Sequence, residues 1–195
     1  MSSQETSFAR LVALAAHDLR TPLATIHGFT QTLVRMGDLE QPKQRYVEMI
    51  EAASRQLAEL LDELSLAARI ESERYEPNLQ PADTLELARA AAADLGEDRV
   101  RVEGIGGEVR VDVDAIRRGV SALVQAALRH GGLDEVTARA DGPTIRISPV
   151  TDSAAVVLLG EDLRDLGAAV AVRLVAELGG RVSRDDDAVI VQLPV

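Results

Sequence analysis

The sequence predicts a long helical hairpin followed by a two-layer α/β sandwich, and three observations predict it. Apolar residues recur on a seven-residue pattern as far as Ala67. Pro77 and Pro81, in EPNLQPAD, end that pattern. Beyond them, short alternating runs interleave with helix-period stretches, the signature of mixed strands and helices. The expected domains are 1–76 and 77–195.

The first helix is read from Ala9, Val12, Ala16, Leu19, Leu23, Ile26, Thr30 and Leu33, which step by three and four like the a and d positions of a heptad. Gly37 and Asp38 end it, and Pro42 sits where a first-turn proline belongs, behind Glu40 and Gln41. A second stripe follows at Tyr46, Ile50, Ala53, Leu57, Leu60, Leu64 and Ala67. One hairpin leaves each seam half covered, so the expected completion is a dimeric four-helix bundle.

In the second half, Asp83 or Thr84 caps a helix through about Leu95. Strands are expected at 99–103 and 108–111, with a turn at 104–107 between them. A helix from Asp114 is stopped by Gly131 and Gly132. Strands near 134–140, 144–149 and 155–159, a helix over 162–178 and a last hairpin around Asp185–Asp187 complete a sheet with helices on one face.

Composition narrows the function. Aliphatic side chains must build the core, because 46% of residues are hydrophobic and only 2% aromatic. The absence of cysteine removes disulfides and thiolate metal sites. A net charge of −11 disfavours nucleic acid and anionic membrane as partners, since both repel an acidic surface. No apolar stretch is long enough to span a bilayer and the first residues lack a signal pattern, so a soluble, cytoplasmic protein is expected.

The chemistry is expected at AAHDLRTPL, residues 15–23. With Ala16 at a and Leu19 at d, His17 falls at b, Asp18 at c and Thr21 at f, all turned to water. His17, Thr21, Ala24 and Gly28 form one exposed stripe, and beyond Thr21 its residues are small. An unobstructed imidazole suits attack on a phosphoryl group presented by another protein. Asp18 is placed to hold one ring nitrogen and leave the other free, and Thr21 to orient a water. Pro22 removes a helix hydrogen bond and is expected to bend the helix beyond the histidine. His27 and His130 read as ordinary histidines, and Asp185–Asp187 as a solvated turn.

AAHDLRTPLATIHGF resembles the H-box of sensor histidine kinases, which runs His, acidic residue, two further residues, Thr or Asn, then Pro. The resemblance implies that His17 is the phosphoacceptor, Asp18 its acid/base partner and Thr21 the residue supporting dephosphorylation of a response regulator. Similarity continues through both helices and the rest of the chain.

The family's nucleotide contacts do not carry over. Where the family places a magnesium-ligating Asn, ALVQAALRH puts Ala126, and a methyl cannot ligate a metal. The Asp-x-Gly-x-Gly box is replaced by PVTDSA, with Asp152 as a displaced remnant at most. The glycine-rich phosphate loop survives only as Asp165-Leu-Gly-Ala168, with a carboxylate where polyphosphate belongs. The reading is therefore a degenerate ATPase-like domain behind a phosphoacceptor bundle, without cofactor-binding or metal-ligating residues of its own. Such a chain resembles the dimeric histidine phosphotransferases of phosphorelays, which exchange phosphate with response-regulator receiver domains that bring the magnesium. Two alternatives stand: an ATP-dependent kinase with atypical nucleotide contacts, and a non-catalytic pseudokinase that docks or dimerises.

Overall fold

The computed structural model describes residues 3–37, 40–41, 43–96 and 98–195, without the side chains of 3–11 and 13–15. Asp38 and Pro42 lie outside the described residues, and so does the side chain of Ala9. The chain divides into two compact units, Met1–Tyr75 and Glu76–Val195.

The first unit is a hairpin of α1 (Ser3–Met36) and α2 (Lys43–Glu71). α1 runs unbroken through Pro22 and stops before Gly37, whose φ of +69° no helix continues. Burial splits the heptad into two faces. Ala16, Leu23 and Thr30, the a positions, are buried, whereas Leu19, Ile26 and Leu33, the d positions, are open. Phe29 and Met36, at g, are open too. Thr30 is tolerated at its buried position because its hydroxyl donates to the Ile26 and His27 carbonyls.

α2 repeats the division, and the residues it buries within the hairpin lie beside the stripe expected from the sequence. Its buried residues are Val47, Ser54, Leu66 and Ala68, with Leu61 half-buried. Tyr46, Ile50, Leu57 and Leu60 are exposed instead, at 61%, 47%, 52% and 39%. Both helices thus bury the a stripe and leave the d and g stripes open, except near the end of α2, where Leu64 and Ala67 are half-buried. The sequence shows two adjacent apolar stripes on α2, and the larger side chains lie on the outward one.

The second unit holds a five-stranded sheet ordered β2-β4-β5-β7-β6 and a separate two-stranded sheet β1-β3. Its strands are β1 (Leu79–Asp83), β2 (Val100–Gly106), β3 (Glu108–Asp112), β4 (Val136–Gly142), β5 (Thr144–Ser148), β6 (Arg181–Asp185) and β7 (Ala188–Gln192). β2 and β4 run parallel, and the other pairs are antiparallel. The helices are α3 (Thr84–Leu95), α4 (Val113–Gly131), α5 (Asp152–Leu158) and α6 (Leu166–Glu177). Ala138, Ala140, Ile145, Ile147, Val189 and Val191 are buried from the sheet against Ile116, Leu123, Val124, Ala127 and Leu174 from α4 and α6. Alternate sheet residues such as Arg139 remain in water, as half-buried strands require.

Four expectations fail locally. Residues 79–83 form β1, although Pro81 marked a linker; the pairing with β3 is two-stranded, and edges tolerate the missing N–H. Residues 104–106 continue β2 rather than turning. There Gly104 takes φ of +101°, and a Cβ would overlap the Ala140 carbonyl oxygen on β4. The run expected as a strand at 155–159 lies mostly in α5, because Thr151 accepts from the Ala154 N–H and caps a helix. α6 starts at Leu166 rather than near 162, because Asp165 is its cap.

Candidate phosphoacceptor site

His17 sits about the middle of α1 with its side chain 76% exposed, and Asp18 beside it is 70% exposed. Nδ1 of His17 and Oδ1 of Asp18 lie 3.3 Å apart, a long hydrogen bond that occupies Nδ1. Nε2 is the nitrogen left to face a reactant. Thr21 is exposed one turn on, and Ala24 and Gly28 continue the open stripe. No heavy atom lies within contact distance of where a Cβ on Gly28 would stand. Thr25 donates its hydroxyl to the Thr21 carbonyl.

Arg20, which the motif reading left without a role, crosses to α2. Its Nη2 donates to Asp62 Oδ1 at 2.7 Å and lies 3.5 Å from Ser65 Oγ. The sequence contained a signal for it: within one turn of His17 in either direction, Arg20 is the sole basic residue on α1.

In the second unit Ala126 is fully buried in α4. Asp152 is not directed into any enclosed site; its side chain is 90% exposed and paired with Arg184. Asp165 is different. Its side chain is 9% exposed, Oδ1 accepts the Ala168 N–H at 3.1 Å, and Oδ2 takes Arg129 Nη1 at 3.1 Å and His130 Nε2 at 3.0 Å. His130, read from the sequence as ordinary, thereby joins α4 to the start of α6. His27 keeps its ordinary reading, although its buried Nδ1 has no hydrogen-bond partner among the described residues. Arg146 pairs with Asp185 and Asp187, and the Asp185 hydrogen bond raises its pKa above the usual guanidinium value.

A helical hairpin bearing an exposed His-Asp pair, followed by this sandwich, defines a phosphoacceptor module joined to an ATPase-like fold. The His Kinase A (phospho-acceptor) domain family matches residues 9–73. The histidine protein kinase DivJ of Caulobacter vibrioides is 33% identical over 172 residues, covering 82% of this chain and 28% of DivJ. A sensor-like histidine kinase of Rhizobium meliloti is 30% identical over 154 residues, covering 71% of this chain and 29% of the relative. The chain thus spans less than a third of these relatives' length. Among solved structures, full-length ShkA, in complex with AMPPNP, superposes with a TM-score of 0.66 at 20% identity, covering 93% of this chain and 44% of ShkA. AdeS of Acinetobacter baumannii gives 0.61 at 15% identity, covering 91% of this chain and 97% of that structure. The structural likenesses establish the fold. Over residues 9–73 the chain belongs to the His Kinase A (phospho-acceptor) domain family, and its similarity to histidine kinases continues beyond the hairpin. Among the described residues no helix is long and apolar enough to cross a membrane.

Proposed function

We infer that this chain is a cytoplasmic histidine phosphotransferase that carries a phosphoryl group on His17 between response-regulator receiver domains and binds no ATP of its own. The observation that carries the reading is the His17–Asp18 pair on an open helix face, with Nδ1 engaged and Nε2 free. The Nε2 lone pair attacks the phosphorus of an aspartyl phosphate on a receiver domain. An N–P bond forms as the acyl phosphate P–O bond breaks, and the electron pair leaves on the receiver's carboxylate. The ring keeps its Nδ1 proton and becomes cationic, and Asp18 balances that charge. Attack by a second receiver's aspartate on the phosphorus reverses the sequence. Thr21, one turn away, is positioned to orient a water for hydrolysis. The receiver brings the magnesium that neutralises charge on the phosphoryl oxygens.

The second unit supports the ATP-independent part. By resemblance, a nucleotide's phosphates belong at the start of α6, where Asp165 already places a buried carboxylate held by the Arg129 guanidinium, the His130 ring and a helix N–H. A second anion there meets repulsion and finds its donors taken. Ala126 offers a buried methyl where a magnesium ligand is required. The residues present at these two positions do not fit the nucleotide. The uncovered d and g stripes of α1 and α2 suit a homodimer, closing a four-helix bundle on the face away from His17.

The runner-up is an ATP-dependent kinase, favoured by the kinase relatives whose similarity reaches past the hairpin. One experiment separates the two. Purified chain is incubated with γ-radiolabelled ATP alone, and separately with a radiolabelled phosphoreceiver. Label that reaches His17 only from the receiver supports the phosphotransferase. Label from ATP alone overturns it. Absence of label in both, with receiver binding retained in His17→Ala, would select the docking module.

A further inference from the structure

We propose that Arg20 senses phosphorylation. When His17 carries a phosphoryl group, the Arg20 guanidinium leaves Asp62 and takes the phosphoryl oxygens, so the modification is read out as the loss of a tie between α1 and α2. The inference rests on His17 being the phosphoacceptor.

Three observations carry it. The first is reach. Arg20 follows His17 by three residues, the spacing that makes side chains neighbours on a helix surface. It is the sole cation within a turn of His17 on α1. The second is the state of the tie. The Arg20 and Asp62 side chains are 44% and 49% exposed, so the pair is solvated and exchangeable. Ser65 adds a 3.5 Å contact only, and its hydroxyl already donates to the Leu61 carbonyl. Asp62 released from Arg20 stays half in water and leaves no buried charge unpaired.

The third is charge. A phosphoryl group brings about −1.5 to −2 with three acceptor oxygens, against a single carboxylate charge on Asp62. The planar guanidinium can present two parallel N–H donors to it. Asp18, the other charged group beside His17, is an anion and cannot satisfy the phosphoryl oxygens. The exchange therefore runs toward the greater charge, and it ends when the phosphoryl group moves on.

The test phosphorylates the full chain with phosphoramidate, which modifies histidine without ATP or a receiver. The phosphohistidine resonance is then followed by phosphorus NMR against pH in wild type, R20Q, R20K and D62N, with His17→Ala identifying the signal. A guanidinium on the phosphoryl oxygens lowers the pH at which they take up a proton. The R20Q midpoint should stand higher than wild type by about half a unit. R20K should fall between them, and D62N, with its arginine already released, at or below wild type. Coincident curves for wild type and R20Q, with unchanged circular dichroism, overturn the exchange. Failure of any phosphohistidine to form at His17 is a different result and overturns the phosphoacceptor reading, and this inference with it.

Discussion

Asp165 holds His130 by a 3.0 Å contact between its Oδ2 and Nε2, and with its other oxygen it caps α6. One carboxylate therefore fixes the end of α4 to the beginning of α6. Asp165→Asn retains a capping oxygen but takes the counter-charge from Arg129 and weakens the hydrogen bond to the His130 ring. It should cost about 1–3 kcal/mol, the lower part of the range reflecting the exposure of Arg129. Asp165→Ala also loses the cap and should cost about 1 kcal/mol more. Urea denaturation of the full chain, followed by a probe in the second unit, measures both. Equal stability of Asp165→Asn and wild type would mean the clamp carries no energy.

His17→Gln should abolish phosphoryl acceptance while changing stability by no more than about 0.5 kcal/mol, because the side chain is largely exposed. Acid-labile label and a melting curve on one sample decide it. A large loss of stability would show the ring to be structural.

Asp18 and Thr21 should separate two activities. Asp18→Asn should slow transfer from a phosphoreceiver by roughly 100-fold or more, since the carboxylate that fixes Nδ1 and balances the ring cation is gone. Thr21→Ala should leave transfer nearly intact and lower the rate at which free phosphate appears. Single-turnover transfer and phosphate release, measured side by side, give the ratio. Equal effects of both variants on both rates would remove the division of roles.

The open d and g stripes give a fourth expectation. Ile26→Asp or Leu57→Asp places a charge in the middle of the face that a second copy would cover. Each should convert the sedimenting species to a monomer and expose the hairpin to proteolysis. A dimer unaffected by both substitutions would move the interface elsewhere.

Much of this architecture was legible because it rests on short-range rules. His17, Asp18 and Thr21 stand on the outer face of α1, where heptad arithmetic puts them, and Asp83 and Gly132 bound helices as caps should. The failures share a cause. Pro81, Gly104 and the apolar run at 155–158 take their conformations from a neighbouring strand, a close backbone approach and a capped buried turn. None of these is encoded in periodicity. The buried positions of α2 within the hairpin were not legible from its stripe, because packing against α1 and cover by a second copy select adjacent faces of the same helix. The Asp165 clamp was hidden for a related reason: its members are 35 and 36 residues apart in the chain.

The outward stripe of His17, Thr21, Ala24 and Gly28 lies away from the apolar stripes that call for cover. Under the phosphotransferase reading, substitutions that retune which client docks could therefore accumulate without disturbing the face proposed to join two hairpins. In a symmetric pair, each imidazole would have its own unobstructed approach, so that two cargoes can be loaded and unloaded independently.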